Sequence, residues 1–155
     1  MFRGTSSHNL DAKGRLSIPA RFREALKTSS DSRLVVTNLP YCLTAYPMET
    51  WRAIEKMFSK YIAGPSKMLA LKRYLIGSAV DCNLDRQGRI LLPAHLRKQA
   101  GLEKSVVLVG LGENFEIWNP DSYYQQHEMV NENFDQLNDE ISKEFGIDFG
   151  YRRPS

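Results

Sequence analysis

No run of about eighteen apolar residues occurs anywhere in the 155-residue chain, and no charged-then-apolar leader follows Met1. Neither a membrane span nor a secretory signal is expected, and the protein is read as cytoplasmic. Cysteine is scarce: Cys42 and Cys82 lie in apolar surroundings without CxxC spacing, which points to buried thiols. His8, His95 and His127 are the only histidines, and they form no ligand cluster, so no metal is expected. GxGxxG and Walker loops are missing, and no histidine stands at partner spacing to a nucleophile. Catalytic residues, cofactors and a small-molecule substrate are therefore not expected. Few aromatic residues interleave with the basic positions, which favours duplex over single-stranded nucleic acid as a partner.

Charge is unevenly spread. Met1 to Arg73 carries thirteen Lys/Arg against five Asp/Glu, a balance of +8, whereas Tyr74 to Ser155 carries eight against thirteen, a balance of −5. Such asymmetry suits one face meeting a polyanion, although composition alone is equally consistent with chance drift of surface charge. Within Met1 to Arg23, Arg3, Lys13, Arg15, Arg21 and Arg23 face only Asp11. That is a footprint for phosphate. From Glu113 to Asp148, ten acidic residues stand against the single base Lys143, so that end should avoid DNA.

The chain repeats itself. "NLDAKGRLSIPAR" (Asn9 to Arg21) returns as "NLDRQGRILLPAH" (Asn83 to His95), and at an offset of 74, eight of the eighteen pairs from 9/83 to 26/100 are identical. At an offset of 72 the likeness continues: Leu34 to Leu39 matches Val106 to Leu111, and Leu43 to Trp51 matches Phe115 to Tyr123. Each copy reads as a hairpin around Asp-x-x-Gly, a short helix opened by Pro19 or Pro93, and a second hairpin leading to a Pro-opened helix. Neither copy is large enough to bury its own apolar face. Pairing about a pseudo-two-fold axis with a shared sheet core is expected. Helices should follow at Trp51 to Ile62 and through "SKMLALKRYLIG". Tyr123, His127, Val130, Phe134, Leu137, Ile141 and Phe145 recur at gaps of four and three before Gly146, which predicts one long amphipathic helix; it either lies on its own core or, as its length favours, docks in part on a neighbouring subunit.

The repeated turn suggests a binding chemistry. Asp11 and Arg15, and again Asp85 and Arg89, straddle a tight turn closed by Gly14 or Gly88. The carboxylate can brace the guanidinium and hold its planar fork in one orientation. A fixed fork suits guanine edges in a major groove or phosphate oxygens, and a two-stranded ribbon fits that groove. The same pattern also fits a turn brace with a surface ion pair worth under about 1 kcal/mol. Lys13, Arg86 and Arg3 would add phosphate attraction. Arg21, Arg23, Arg97 and Lys98 fall on the short helices and read as solvated helix-face charges.

"MFRG" at the start, the paired turns Asp11/Arg15 and Asp85/Arg89, "GRLSIPARFR" and "FEIWNPDSY" together resemble the MraZ family of bacterial transcriptional regulators. The resemblance covers nearly the whole chain. It implies an α+β, intrachain swapped-hairpin AbrB-like barrel built from two tandem repeats with flanking helices. The repeats would occupy residues 1–50 and 76–123, with connecting helices at 51–75 and a C-terminal helix and tail at 124–155. It also implies a ring-like homo-oligomer, associated with the nucleoid, that binds double-stranded DNA at repeats in the promoter of the division and cell-wall gene cluster containing its own gene, commonly as a repressor. Arg15, Arg89, Lys13, Arg86 and Arg3 would then face DNA, with Asp11 and Asp85 orienting the arginines and Gly14 and Gly88 forming the turns. The alternative is an AbrB-like interaction or antitoxin-type assembly module without an operator of its own. The tail "FGYRRPS" has no counterpart in the resemblance.

Overall fold

The computed structural model describes residues 1–28 and 31–155, as two units: Met1–Pro120 and Asp121–Ser155. In the first unit, eight strands and four helices follow in the order β1 (Phe2–Asn9), β2 (Arg15–Ser17), α1 (Ala20–Lys27), β3 (Leu34–Asn38), β4 (Leu43–Pro47), α2 (Met48–Ser59), α3 (Ser66–Leu75), β5 (Val80–Cys82), β6 (Arg89–Leu91), α4 (Ala94–Gln99), β7 (Ser105–Gly112) and β8 (Phe115–Trp118). Proline supplies the residue before each helix: Pro19, Pro47, Pro65 and Pro93 all have extended ψ and a φ near the value the ring imposes. Their carbonyls start the helical ladder, as where Pro19 O accepts from both Phe22 N and Arg23 N at 3.0 Å.

All strand pairings are antiparallel. Six strands form one sheet in the order β1-β7-β8-β4-β3-β5, and β2 and β6 form a separate ribbon. Exchanging the two repeats turns β1 into β5, β7 into β3 and β8 into β4, so the sheet order reads the same from either end. The register agrees. Leu43 opposes Ile117, Thr44 opposes Glu116 and Ala45 opposes Phe115, which is symmetric about Thr44/Glu116 at the offset of 72. Arg15 opposes Leu91, Leu16 opposes Ile90 and Ser17 opposes Arg89, symmetric about Leu16/Ile90 at the offset of 74. A pseudo-two-fold therefore passes through both sheets.

The core has the same symmetry. Leu16 and Ile90, Ile18 and Leu92, Phe22 and Leu96, Val36 and Leu108, and Ala45 and Ile117 are repeat-equivalent pairs, and all are buried in one cluster. Phe2, Phe22 and Phe115 meet at its centre with ring centroids 5.1–5.2 Å apart. Cys42 and Cys82 are buried free thiols. Burial, with Asp81 adding to it, pushes the Cys82 thiol up to about 11, and burial raises that of Cys42 further.

Two sequence expectations for the first unit change. The turn at Asp11 does not join a local hairpin: beyond the closing Asp11 N–Arg15 O bond of 3.0 Å, β1 pairs with β7 and β2 with β6, each from the other repeat. One repeat alone cannot cover both faces of its strands, so they leave for the partner copy. Among the described residues the sheet is open, with β1 and β5 at its edges, and no closed barrel is formed.

In the second unit the expected single helix is two, α5 (Pro120–Glu132) and α6 (Phe134–Phe145). Asn133 leaves the helical region at φ −113° and ψ 16°, and its side-chain amide donates to Met129 O at 2.8 Å. Asn133 N donates to the same carbonyl at 3.2 Å, so side chain and backbone share it where the helix breaks. Gly146 closes α6 in the left-handed conformation at φ 65°, the stop the sequence predicts. The tail folds back on α6: Tyr151 donates to Asp135 Oδ1 at 2.7 Å, and its ring meets Phe134 at 4.8 Å edge-on. Among the described residues, no helix is long and apolar enough to cross a membrane.

Candidate nucleic-acid interface

Each repeated turn is built around one carboxylate. Asp11 Oδ1 accepts the backbone N–H of Lys13 at 2.9 Å and of Arg15 at 2.8 Å, while Oδ2 accepts Arg15 Nε at 2.6 Å. Asp85 repeats the set on Gln87 N, Arg89 N and Arg89 Nε, all at 2.9 Å. Gly14 N and Gly88 N donate to the carbonyls of Asp11 and Asp85 at 3.0 Å, and both glycines hold positive φ, 86° and 75°. A β-carbon would be strained there. The carboxylate thus does two jobs, holding the turn through backbone donors and fixing the fork through Nε.

These contacts lower both acid groups. The backbone N–H of Arg15, followed by its side chain, brings Asp11 from an ordinary 3.8 down to about 2, and the equivalent bonds from Arg89 lower Asp85. With Nε bound, the amino groups of each guanidinium stay available as a planar donor pair. The ribbon then brings the turns together: Arg89 Nη1 approaches Asp11 Oδ2 at 3.9 Å, so Asp11 faces both arginines.

The structure gathers Asp11, Arg15, Asp85 and Arg89 at the β2–β6 ribbon, with Lys13 and Arg86 exposed at the tips of their turns. Arg3 is not brought in by the same ribbon. It sits near the start of β1 opposite Leu111, six residues before the strand's end, on the order of 20 Å at ordinary strand rise.

Two further cations stand here. Arg23 and Arg97, expected on solvated helix faces, are half-buried. Arg23 Nε donates to Ile18 O at 3.1 Å and Arg97 Nε to Leu92 O at 3.0 Å. Their identity in the repeat was the one signal that could have singled them out. Arg21 and Lys98 are exposed as expected, and Arg21 lies over the Phe22 ring at 5.1 Å.

The sequence matches the family described as "MraZ protein, putative antitoxin-like" over residues 1–70 and 75–144. The chain belongs to the MraZ family. Among its relatives, "Transcriptional regulator MraZ" of Pediococcus pentosaceus is 41% identical over 97% of this chain and 99% of its own length. The protein of that name from Syntrophobacter fumaroxidans is 47% identical over 79% of this chain and 81% of its own. That of Shewanella loihica is 45% identical over 85% and 88%. The two MraZ segments divide between residues 70 and 75, within α3, so each contributes one braced turn.

Proposed function

We propose that this MraZ-family chain is a sequence-specific, double-stranded-DNA-binding transcriptional regulator, acting as a repressor at repeated elements in the promoter of the division and cell-wall gene cluster that includes its own gene. The observation that carries the reading is the pair of Asp-braced arginines on one antiparallel ribbon. Such a ribbon fits a major groove, and an arginine held by Nε presents a planar fork to guanine O6 and N7. Lys13 and Arg86, exposed on the same turns, add phosphate attraction, with Arg3 reaching backbone farther away. In this reading Asp11 and Asp85 orient the arginines, and Gly14 and Gly88 shape the turns.

The finer architecture belongs to the same proposal. Residues 1–50 and 76–123 act as AbrB-like repeats with exchanged hairpins, residues 51–75 connect them, and residues 124–155 form a separate helical segment. Because one chain offers one Asp-x-x-Gly-Arg turn per repeat, repeated operators are read by several copies in a ring-like homo-oligomer on the nucleoid, gaining effective concentration. Exposed Leu137, Phe145, Ile147 and Phe149 on the second unit support such assembly.

A mobility shift on DNA from just upstream of the protein's own gene tests the reading, against a shuffled duplex of equal length. The native duplex should be retained preferentially, with affinity falling steeply as salt rises. Equal retention of both duplexes removes sequence specificity, and no retention of either removes DNA binding.

A further inference from the structure

Arg23 and Arg97 reach across the pseudo-two-fold. A β-carbon placed on Gly88 would stand 2.7 Å from Arg23 Cδ and 3.0 Å from its Nε, and one on Gly14 would stand 2.8 Å from both Cζ and Nε of Arg97. Each side chain therefore lies directly on the glycine of the other repeat's turn. Each is also tied to its own repeat, through the Nε bonds to Ile18 O and Leu92 O. The same two residues bind the turns by their backbone: Ile18 N donates to Gly88 O at 2.9 Å and Leu92 N to Gly14 O at 3.0 Å. Helix α1, residue 18 and the second turn form one linked chain of contacts, and α4, residue 92 and the first turn form its mirror.

Charge pairing does not explain this placement, since among the described residues neither Arg23 nor Arg97 has a carboxylate within ion-pair distance. Shape does. Only a residue without a side chain lets the arginine stem and planar guanidinium lie flat on the turn, and the next residue in each turn is the braced Arg15 or Arg89.

We infer that Arg23 and Arg97 are cross-repeat positioning residues: Arg97 of the second repeat seats the turn carrying Arg15, and Arg23 of the first seats the turn carrying Arg89. The inference deepens the DNA-binding reading, and its effect on affinity rests on that reading. Lysine keeps the charge but has neither the flat group nor the Nε donor.

The test uses the full-length Arg97→Lys protein, with Arg97→Gln as a second variant should the first lose its thermal transition. Hydrogen–deuterium exchange is followed over residues 10–17 and 84–91, and affinity for the upstream duplex is measured across a salt series. Arg97→Lys should speed exchange in residues 10–17 by about tenfold while leaving 84–91 near wild type, and Arg23→Lys should do the reverse. Affinity should fall about tenfold in each, with the slope against log salt unchanged. Unchanged exchange in the opposite turn, or equal loosening of both turns, overturns the inference. So does full affinity in the lysine variants with a salt slope lower by about one in Arg97→Gln and Arg23→Gln, since that marks a phosphate contact. If the wild-type protein fails to bind the duplex, the DNA reading falls, while the exchange arm still decides whether these arginines seat the turns.

Discussion

At the residue scale, Asp11 carries more than its ion pair with Arg15. Its carboxylate is lowered first by the backbone N–H of Arg15 and also by that of Lys13, so Arg15→Ala, which keeps both backbone donors, should leave part of the lowering in place. Asp11 followed by carboxyl carbon NMR should titrate near 2 in the native protein and stay below 3.8 in the variant. The sign follows from the depressed value: the brace contributes fully above about 3.8 and is lost as pH falls through about 2. Turn geometry should therefore not change between pH 5 and 8. Gly14 gives a second residue-scale prediction. Gly14→Ala and Gly101→Ala both force a side chain into positive φ, 86° and 62°, but only the first meets another group, Arg97. Each backbone change costs about 1 kcal/mol, and Gly14→Ala should cost about 1–2 kcal/mol more in urea unfolding. Equal losses would mean that Arg97 yields freely.

At the element scale, what could be read from the sequence depended on how local the cause was. Pro19, Pro47 and Pro93 open helices where expected, Gly146 ends one, and the β3–β4 hairpin forms, because each depends on a few neighbouring residues. The destination of β1 and β2 does not: the turn chemistry at Asp11 is local, but the choice of β7 and β6 as partners depends on which surfaces the other repeat leaves bare. Arg23 was misread for the same reason, since helix periodicity shows that it faces away from the core stripe and says nothing of a glycine sixty-five positions later. The break at Asn133 hides inside an unbroken apolar period because that period records which face each side chain takes and not the backbone angles at one position. Replacing Asn133 by Ala removes the side-chain amide and should raise helicity by circular dichroism at 222 nm. An unchanged signal would place the cause of the break elsewhere.

For the whole molecule, the duplication was the most legible feature, and it has a physical consequence. Every strand paired with β1, β2 or β5 comes from the other repeat, and the buried cluster draws its paired members from both. Residues 1–75 and 76–155 expressed separately should each lack a cooperative thermal transition, and mixing them should restore one; independent folding of either fragment would contradict a shared core. The same interleaving places Arg15 and Arg89 on one ribbon, and the proposed function rests on it. The most direct test is fluorescence anisotropy of the upstream promoter duplex with Arg15→Ala and with Arg89→Ala, at matched salt and with assembly size and melting checked in parallel. Each variant should lose about ten- to a hundredfold in affinity while assembly and melting hold at wild type. Wild-type affinity in both variants would contradict the assignment of the braced arginines as the DNA-reading pair.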